Sequence, residues 1–224
     1  MCGRISTAGL TADSLKGHFN LDSALPFTPG YNLAPTLEIP AIREHNHRRS
    51  LAILKWGLIP HWARDKHIKA STFNARAETL TQKPFFRDPI KSRRCIIPAS
   101  GFYEWQKQGD KKQPYYIARA DQQPLALAGL WDLWEDQATG DTIESCTIIT
   151  VPATHRMAEI HERMPAVLEV DVFAVWLDPG FRETHVLQDL LRTAGNDVLD
   201  MYPVSSYVNS SSHEGARCIE RFPA

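Results

Sequence analysis

The sequence predicts an α+β fold in a single domain over residues 1–224: a largely antiparallel, barrel-like β-sheet core with short peripheral helices. Three observations predict it. At 224 residues the chain suits one compact domain, and no internal repeat, low-complexity tract or Pro/Ser/Gly linker divides it. Its 43% hydrophobic and 23% charged content is that of an ordinary globular protein. Strand-like runs then succeed one another through the middle without intervening helices, which favours antiparallel pairing over a doubly wound parallel sheet.

Taken in order, residues 10–20 read as a short helix with Thr11 at its N-cap. Pro26, Pro29, Gly30 and Pro35 mark an irregular stretch that holds Tyr31-Asn32-Leu33-Ala34-Pro35. Strands are predicted at 37–43, 51–56, 94–98, 102–106, 115–119, 125–131 and 145–151. Gln108-Gly109-Asp110-Lys111 reads as the hairpin turn between two of them. Helical periodicity returns at 154–160, where Thr154 can cap, and at 170–177 and 183–194.

Composition excludes several classes. No run approaches the ~18–20 apolar residues that cross a bilayer. The first six residues lack the basic and apolar regions of a secretory signal. Cys2, Cys95, Cys146 and Cys218 are scattered with no Cys-x-x-Cys pair, which argues against a disulfide framework or structural zinc and for a reducing cytoplasm. Neither a Gly-x-Gly-x-x-Gly nor a Walker loop is present, and His161-Glu162-Arg163-Met164-Pro165 lacks the second His of a zincin. No cofactor, no metal and no membrane association are expected, and the chain is expected to be a monomer. The net charge of −1 hides an asymmetry: residues 1–120 carry 19 Lys and Arg against 9 Asp and Glu, and the remainder 6 against 17. Such segregation fits either an anionic partner, nucleic acid foremost, or a solvated basic face.

Cys2 is the most informative position. Removal of Met1 would leave it as a 1,2-aminothiol whose amine and thiol titrate near ~8 and ~8.5. An aldehyde attacked by the amine gives an imine, and the thiolate can then close a thiazolidine ring. The alternative is an accident of the translation start. Asn74 and Arg76 fall where a strand gives way to a helix, and Asn74 could be no more than an N-cap. Alternation puts Phe102, Glu104 and Gln106 on one strand face and Tyr103 and Trp105 on the other. Glu104 is then either a carboxylate desolvated for acid–base work or a member of an exposed face or salt bridge. His161 could shuttle protons or be structural. Trp56 to Trp62, followed by Lys66 and Lys69, interleaves aromatic and basic groups that could meet unpaired bases and phosphates, or anchor a core. Phe85-Phe86, beside Lys83 and Arg87, allows an apolar wedge or a buried face.

Together these segments resemble the SOS-response-associated peptidase family, also called abasic-site processing proteins. The likeness runs through Met1-Cys2-Gly3-Arg4, Tyr31-Asn32-Leu33-Ala34-Pro35, Trp56-Gly57-Leu58-Ile59-Pro60, Asn74-Ala75-Arg76-Ala77-Glu78, Arg94-Cys95-Ile96-Ile97-Pro98, Gly101-Phe102-Tyr103-Glu104-Trp105 and Ile160-His161-Glu162-Arg163-Met164-Pro165, in that order. The resemblance implies covalent capture of abasic sites in single-stranded DNA. Cys2 would be the nucleophile, with Asn74, Glu104 and His161 as the other catalytic residues. It also implies removal of Met1, the step behind the peptidase label, and an associated lyase activity. Arg76, Arg4 and Arg163 would meet phosphates, Thr150 would line the site, and Trp62, Phe85 and Phe86 would contact the DNA. Rival expectations are a cysteine peptidase acting in trans, a DNA-binding module without chemistry, and a purely structural protein.

Overall fold

The computed structural model describes residues 2–191 and 198–222. In chain order the strands are β1 (Ile5–Ser6), β2 (Ser23–Ala24), β3 (Glu38–His45), β4 (Arg48–Trp56), β5 (Asn74–Arg76), β6 (Arg94–Ala99), β7 (Gly101–Gln108), β8 (Lys111–Arg119), β9 (Leu125–Glu135), β10 (Thr142–Pro152), β11 (Arg163–Pro165) and β12 (Leu199–Pro203). The helices are α1 (Ala12–Phe19), α2 (Pro89–Ser92), α3 (His155–Ala158), α4 (Phe173–Leu177) and α5 (Thr184–Asp189), with four short 3₁₀ turns.

Five strands close into a barrel. β4, β3, β6, β9 and β10 pair antiparallel in succession, and a parallel pairing of β10 with β4, Ser145 opposite Lys55 and Cys146 opposite Trp56, completes the ring. Full closure leaves no open edge among these strands. Fully buried Ile42, Leu54, Trp56, Ile96, Leu130 and Ile148 belong to the main core. Where β4 leaves β10, β5 takes over its edge, with Asn74 to Arg76 opposite Ile148 to Thr150. On the other edge, where the pairing of β9 with β10 has stopped, β11 pairs with Thr150 to Pro152.

A second, antiparallel sheet runs β1-β7-β8-β12. Its two faces differ, as alternation along a strand requires. Phe102 faces the main core, whereas Tyr103 packs with Tyr116, Val204, Val208 and Cys218 in a smaller cluster flanked by Trp105. The expected split of Phe102 from Tyr103 and Trp105 is thus observed, and it places Glu104 on the inner face.

The α+β barrel expected from the sequence is the observed fold, with every predicted strand present. Thr11 caps α1, its hydroxyl accepting from the Ser14 N–H at 3.1 Å. Thr154 caps α3 through the Met157 N–H at 3.4 Å. The helix predicted at 170–177 divides into a 3₁₀ turn, Val170–Val172, and α4. That predicted at 183–194 is observed as α5; its residues 192–194 lie outside the described ones. Gly109, at φ +61°, makes the two-residue turn between β7 and β8.

Candidate active site

Short β1 delivers the N-terminus to the site. Ile5 pairs with Phe102 and Ser6 with Gly101, and the Tyr103 N–H donates to Arg4 O at 3.0 Å. Continuing that register brings Gly3 opposite Glu104 and Cys2 beside it. Cys2 is fully buried, its thiol 3.8 Å from Arg4 O. Burial pushes the thiol far above its ordinary range, and the nearby Glu104 carboxylate adds to the rise. Glu104, 3% exposed, is itself raised by burial, an effect opposed by the charge on His161. The register of β1 on β7 and the docking of the His161 loop on Gln106 bring Cys2, Glu104 and His161 to one stretch of β7.

The His161 loop is held over this face of β7, where Gln106 Nε2 donates to Glu159 O at 2.9 Å. The Arg163 N–H donates to His161 Nδ1 at 3.0 Å. The same Nδ1 lies 3.1 Å from Arg163 O, so the backbone of Arg163 holds this edge of the ring in either tautomer.

Asn74 and Arg76 lie two apart on β5 and so share a face. Asn74 is 8% exposed; its Nδ2 donates to Phe73 O and Ile148 O at 3.1 and 3.3 Å, while buried Oδ1 has no hydrogen-bond partner among the described residues. It caps no helix, since Arg76 occupies the cap position of the 3₁₀ turn at Ala77–Thr79. Arg76 is exposed. Arg163, 8% exposed, instead reaches inward across β10. Its guanidinium donates to Thr150 O at 2.5 Å, to Thr150 Oγ1 at 3.3 Å, and to both Glu78 oxygens at 2.7 and 3.0 Å. Thr150 is fully buried between them.

Arg4 is likewise engaged, donating to Asn32 Oδ1 at 2.7 Å and Val208 O at 3.0 Å, with its guanidinium carbon 5.7 Å from the Trp105 ring centre. Among the aromatics, Trp56 is a fully buried core residue, whereas Trp62 is 49% exposed and packs on Phe85 at 5.5 Å. Phe85 is half-buried and Phe86 buried beneath it at 6.1 Å.

The family model for the SOS response associated peptidase (SRAP) matches residues 1–211. The chain belongs to this family. The abasic site processing protein YoqW of Bacillus subtilis strain 168 is 41% identical over 224 residues, spanning 98% of the SRAP chain described here and 99% of YoqW. The abasic site processing protein HMCES of Xenopus tropicalis is 34% identical over 223 residues, spanning 86% of this chain and 66% of that longer protein. A crystal structure of a protein from Bacteroides thetaiotaomicron matches with a TM-score of 0.89 at 28% identity, covering 99% of this chain and 100% of that one.

Two residues that support the SRAP site were not singled out as sequence candidates. Glu78 holds Arg163, and its place in Asn74-Ala75-Arg76-Ala77-Glu78, two residues beyond Arg76, is its only trace in the sequence. Asn32 holds Arg4 from a segment 28 residues away, and only its setting between Pro29 and Pro35 hints that it is specially placed. No described helix is long and apolar enough to cross a membrane.

Proposed function

We propose that this SRAP protein processes abasic sites in single-stranded DNA, capturing the lesion covalently through Cys2 after Met1 is removed. The observation that carries the proposal is the enclosure of Cys2 with Glu104 and His161 at the point where β1 meets β7, beside the strand that bears Asn74 and Arg76. The names of the relatives, which denote abasic site processing, support the same assignment.

An abasic sugar is mostly a closed hemiacetal. His161 suits proton donation to the ring oxygen as the C1 hydroxyl loses its proton, which opens the sugar to an aldehyde. The free amine of Cys2 adds to the aldehyde carbon, and loss of water gives the imine. The thiol then adds to the same carbon while its proton passes to nitrogen, so aldehyde and aminothiol become thiazolidine plus one water. Burial keeps the thiol protonated, so the amine attacks first and the sulfur closes the ring. Glu104, with a pKa raised by burial, suits the proton transfers at nitrogen. Asn74, with a buried acceptor at Oδ1, would orient the amine or the sugar.

DNA would be held without reading its sequence. Exposed Arg76 is assigned to a phosphate. Arg4 and Arg163 add positive charge beside Cys2 and His161 while anchored internally, and Thr150 lines the floor. Trp62 and Phe85 form an exposed aromatic step on which bases can stack, supported from below by Phe86. Met1 removal is the peptide-bond cleavage that exposes the amine, and an imine intermediate also permits β-elimination, a lyase outcome.

The test is a denaturing gel after mixing the protein with single-stranded DNA that contains one abasic site. A heat-stable shifted band supports capture. A reversible complex alone leaves a DNA-binding module, and cleavage of an added peptide in its place supports a peptidase acting in trans.

A further inference from the structure

Resting on that proposed function, we infer that Asn32 and Glu214 are positioning residues for Cys2. Together with the segment from Ser205 to Cys218 they form a buckle that holds the N-terminal nucleophile against Glu104.

Asn32 is fully buried and uses both ends of its amide. Its Oδ1 accepts from Arg4 at 2.7 Å. Its Nδ2 lies against three carbonyls of the C-terminal segment: Ser210 at 2.8 Å, His213 at 2.9 Å and Val208 at 3.3 Å. Arg4 joins the same segment directly through Val208 O at 3.0 Å. Glu214 closes the buckle from outside, its two oxygens accepting the backbone N–H groups of Tyr31 and Asn32 at 2.8 and 3.2 Å. Trp105, the neighbour of Glu104, is tied to the segment by a 2.7 Å bond from Nε1 to Asn209 Oδ1. Tyr103, on its other side, donates to Tyr31 O at 2.6 Å. Tyr31 and Asn32 together with the C-terminal segment thus grip both sides of the reacting pair: Arg4, two residues after Cys2, and both neighbours of Glu104.

A physical need explains the arrangement. Chain termini are poorly ordered unless tied down, and an N-terminal nucleophile sits on the most mobile part of any chain. Once Met1 is gone, Arg4 is the first long side chain available to anchor Cys2, and a single buried amide fixes it. His213 and Glu214 lie beyond residue 211, where the match to the family model ends.

The experiment compares Asn32→Ala and Glu214→Gln with the unaltered protein, each confirmed by mass spectrometry to begin at Cys2. Three quantities are measured: the single-turnover rate of adduct formation at saturating abasic single-stranded DNA, the Kd for an unreactive tetrahydrofuran analogue of that DNA, and the rate at which Cys2 forms a thiazolidine with free glyoxylate. Misplacement by about 1 Å can cost ~10²-fold in rate, so Asn32→Ala is expected to slow adduct formation about 10–100-fold. Its Kd should move by less than about twofold. The glyoxylate reaction needs no protein positioning and should be at least as fast as in the unaltered protein. Glu214→Gln, a change at an exposed side chain that leaves the core intact, should shift adduct formation in the same direction to a smaller extent, and it decides the matter should Asn32→Ala not fold. An adduct rate equal to that of the unaltered protein in a folded variant overturns the inference. So does a glyoxylate reaction slowed in parallel, because that locates the effect in Cys2 reactivity instead of position. Absence of any adduct with the unaltered protein overturns the proposed function itself and is distinguished by that control.

Discussion

Arg163 and Glu78 meet in a two-pronged ion pair at 2.7 and 3.0 Å, and the bridge passes over Thr150 of β10. It ties β11, which follows His161, to the turn that follows Asn74 and Arg76. Two segments 85 residues apart in sequence are thereby held in register on either side of one strand. The pair also lowers the Glu78 pKa, chiefly through the hydrogen bond from Arg163.

Glu78→Gln should therefore loosen the site from both sides. Arg163 is buried, and a neutral amide in place of its carboxylate partner leaves the guanidinium without a counter-charge and with one acceptor fewer, at a cost of about 1–2 kcal/mol. Thermal melts should show the loss, and adduct formation should slow more than DNA binding weakens. The pH dependence follows from the sign of the shift. A carboxylate held below its ordinary 4.5 stabilises the fold above that pH, and the contribution disappears as pH falls through the lower, folded-state value. Acid titrations of the unaltered protein and the variant should converge at the acid end.

Cys2→Ala should abolish the heat-stable adduct and leave reversible DNA binding nearly intact, because only an aminothiol closes the ring. An amine alone still forms an imine, so strand-cleavage products should rise on the same gel. Undiminished adduct from this variant would falsify ring closure by sulfur.

Glu104→Gln should remove a limb of the pH–rate profile. The raised pKa of Glu104 puts its deprotonation above the usual 4.5, so the capture rate of the unaltered protein should climb with pH through that region. General acid–base groups contribute ~10²–10⁴ in rate, and the variant should be slower by that order with a flattened acidic limb. A limb that persists unchanged in Glu104→Gln assigns it to another group.

Binding to single-stranded DNA should weaken steeply with salt, with a log–log slope of about −0.7 per phosphate contacted. Arg76→Ala should reduce the slope's magnitude by about one such increment, since Arg76 is exposed while Arg4 and Arg163 have internal partners. Parallel salt titrations of the two proteins by fluorescence anisotropy measure the difference.

Retention of Met1, or any extension before Cys2, should block the adduct while folding and DNA binding continue. An amide nitrogen cannot form the imine, and a thiol alone gives only a reversible hemithioacetal. Mass spectrometry of the N-terminus beside the crosslinking gel decides it.

The barrel was legible because its strands are long. β3, β4, β9 and β10 each run eight residues or more, enough for alternation and β-branched content to show. Thr11 and Thr154 announced their helices through local chemistry alone. β1 and β2 did not register, being two residues long with no period to detect, yet β1 carries the chain to Cys2. The parallel closure of β10 on β4 was also hidden, since it joins Trp56 to Cys146 across most of the intervening chain. For the site, Cys2, Asn74, Glu104 and His161 stood out by residue type and motif. The internal engagement of Arg4 and Arg163 did not, because a sequence shows a cation and not the carboxylate or amide that folding brings to it.

The bond from Arg4 to Val208 spans 204 residues and gives the molecule a schedule. At ordinary elongation rates of ~5–20 residues per second, a ribosome needs about 10–40 s to travel from one to the other. Through most of that interval Cys2 has left the ribosome, but the carbonyl that will help to hold its neighbour does not yet exist. The nascent N-terminus is open to an aminopeptidase during the same period. Once the later residues dock, Cys2 is enclosed. Under the proposed chemistry the nucleophile is made first and becomes competent last, which would spare the emerging chain a positioned aldehyde trap before the rest of the protein is there to direct it.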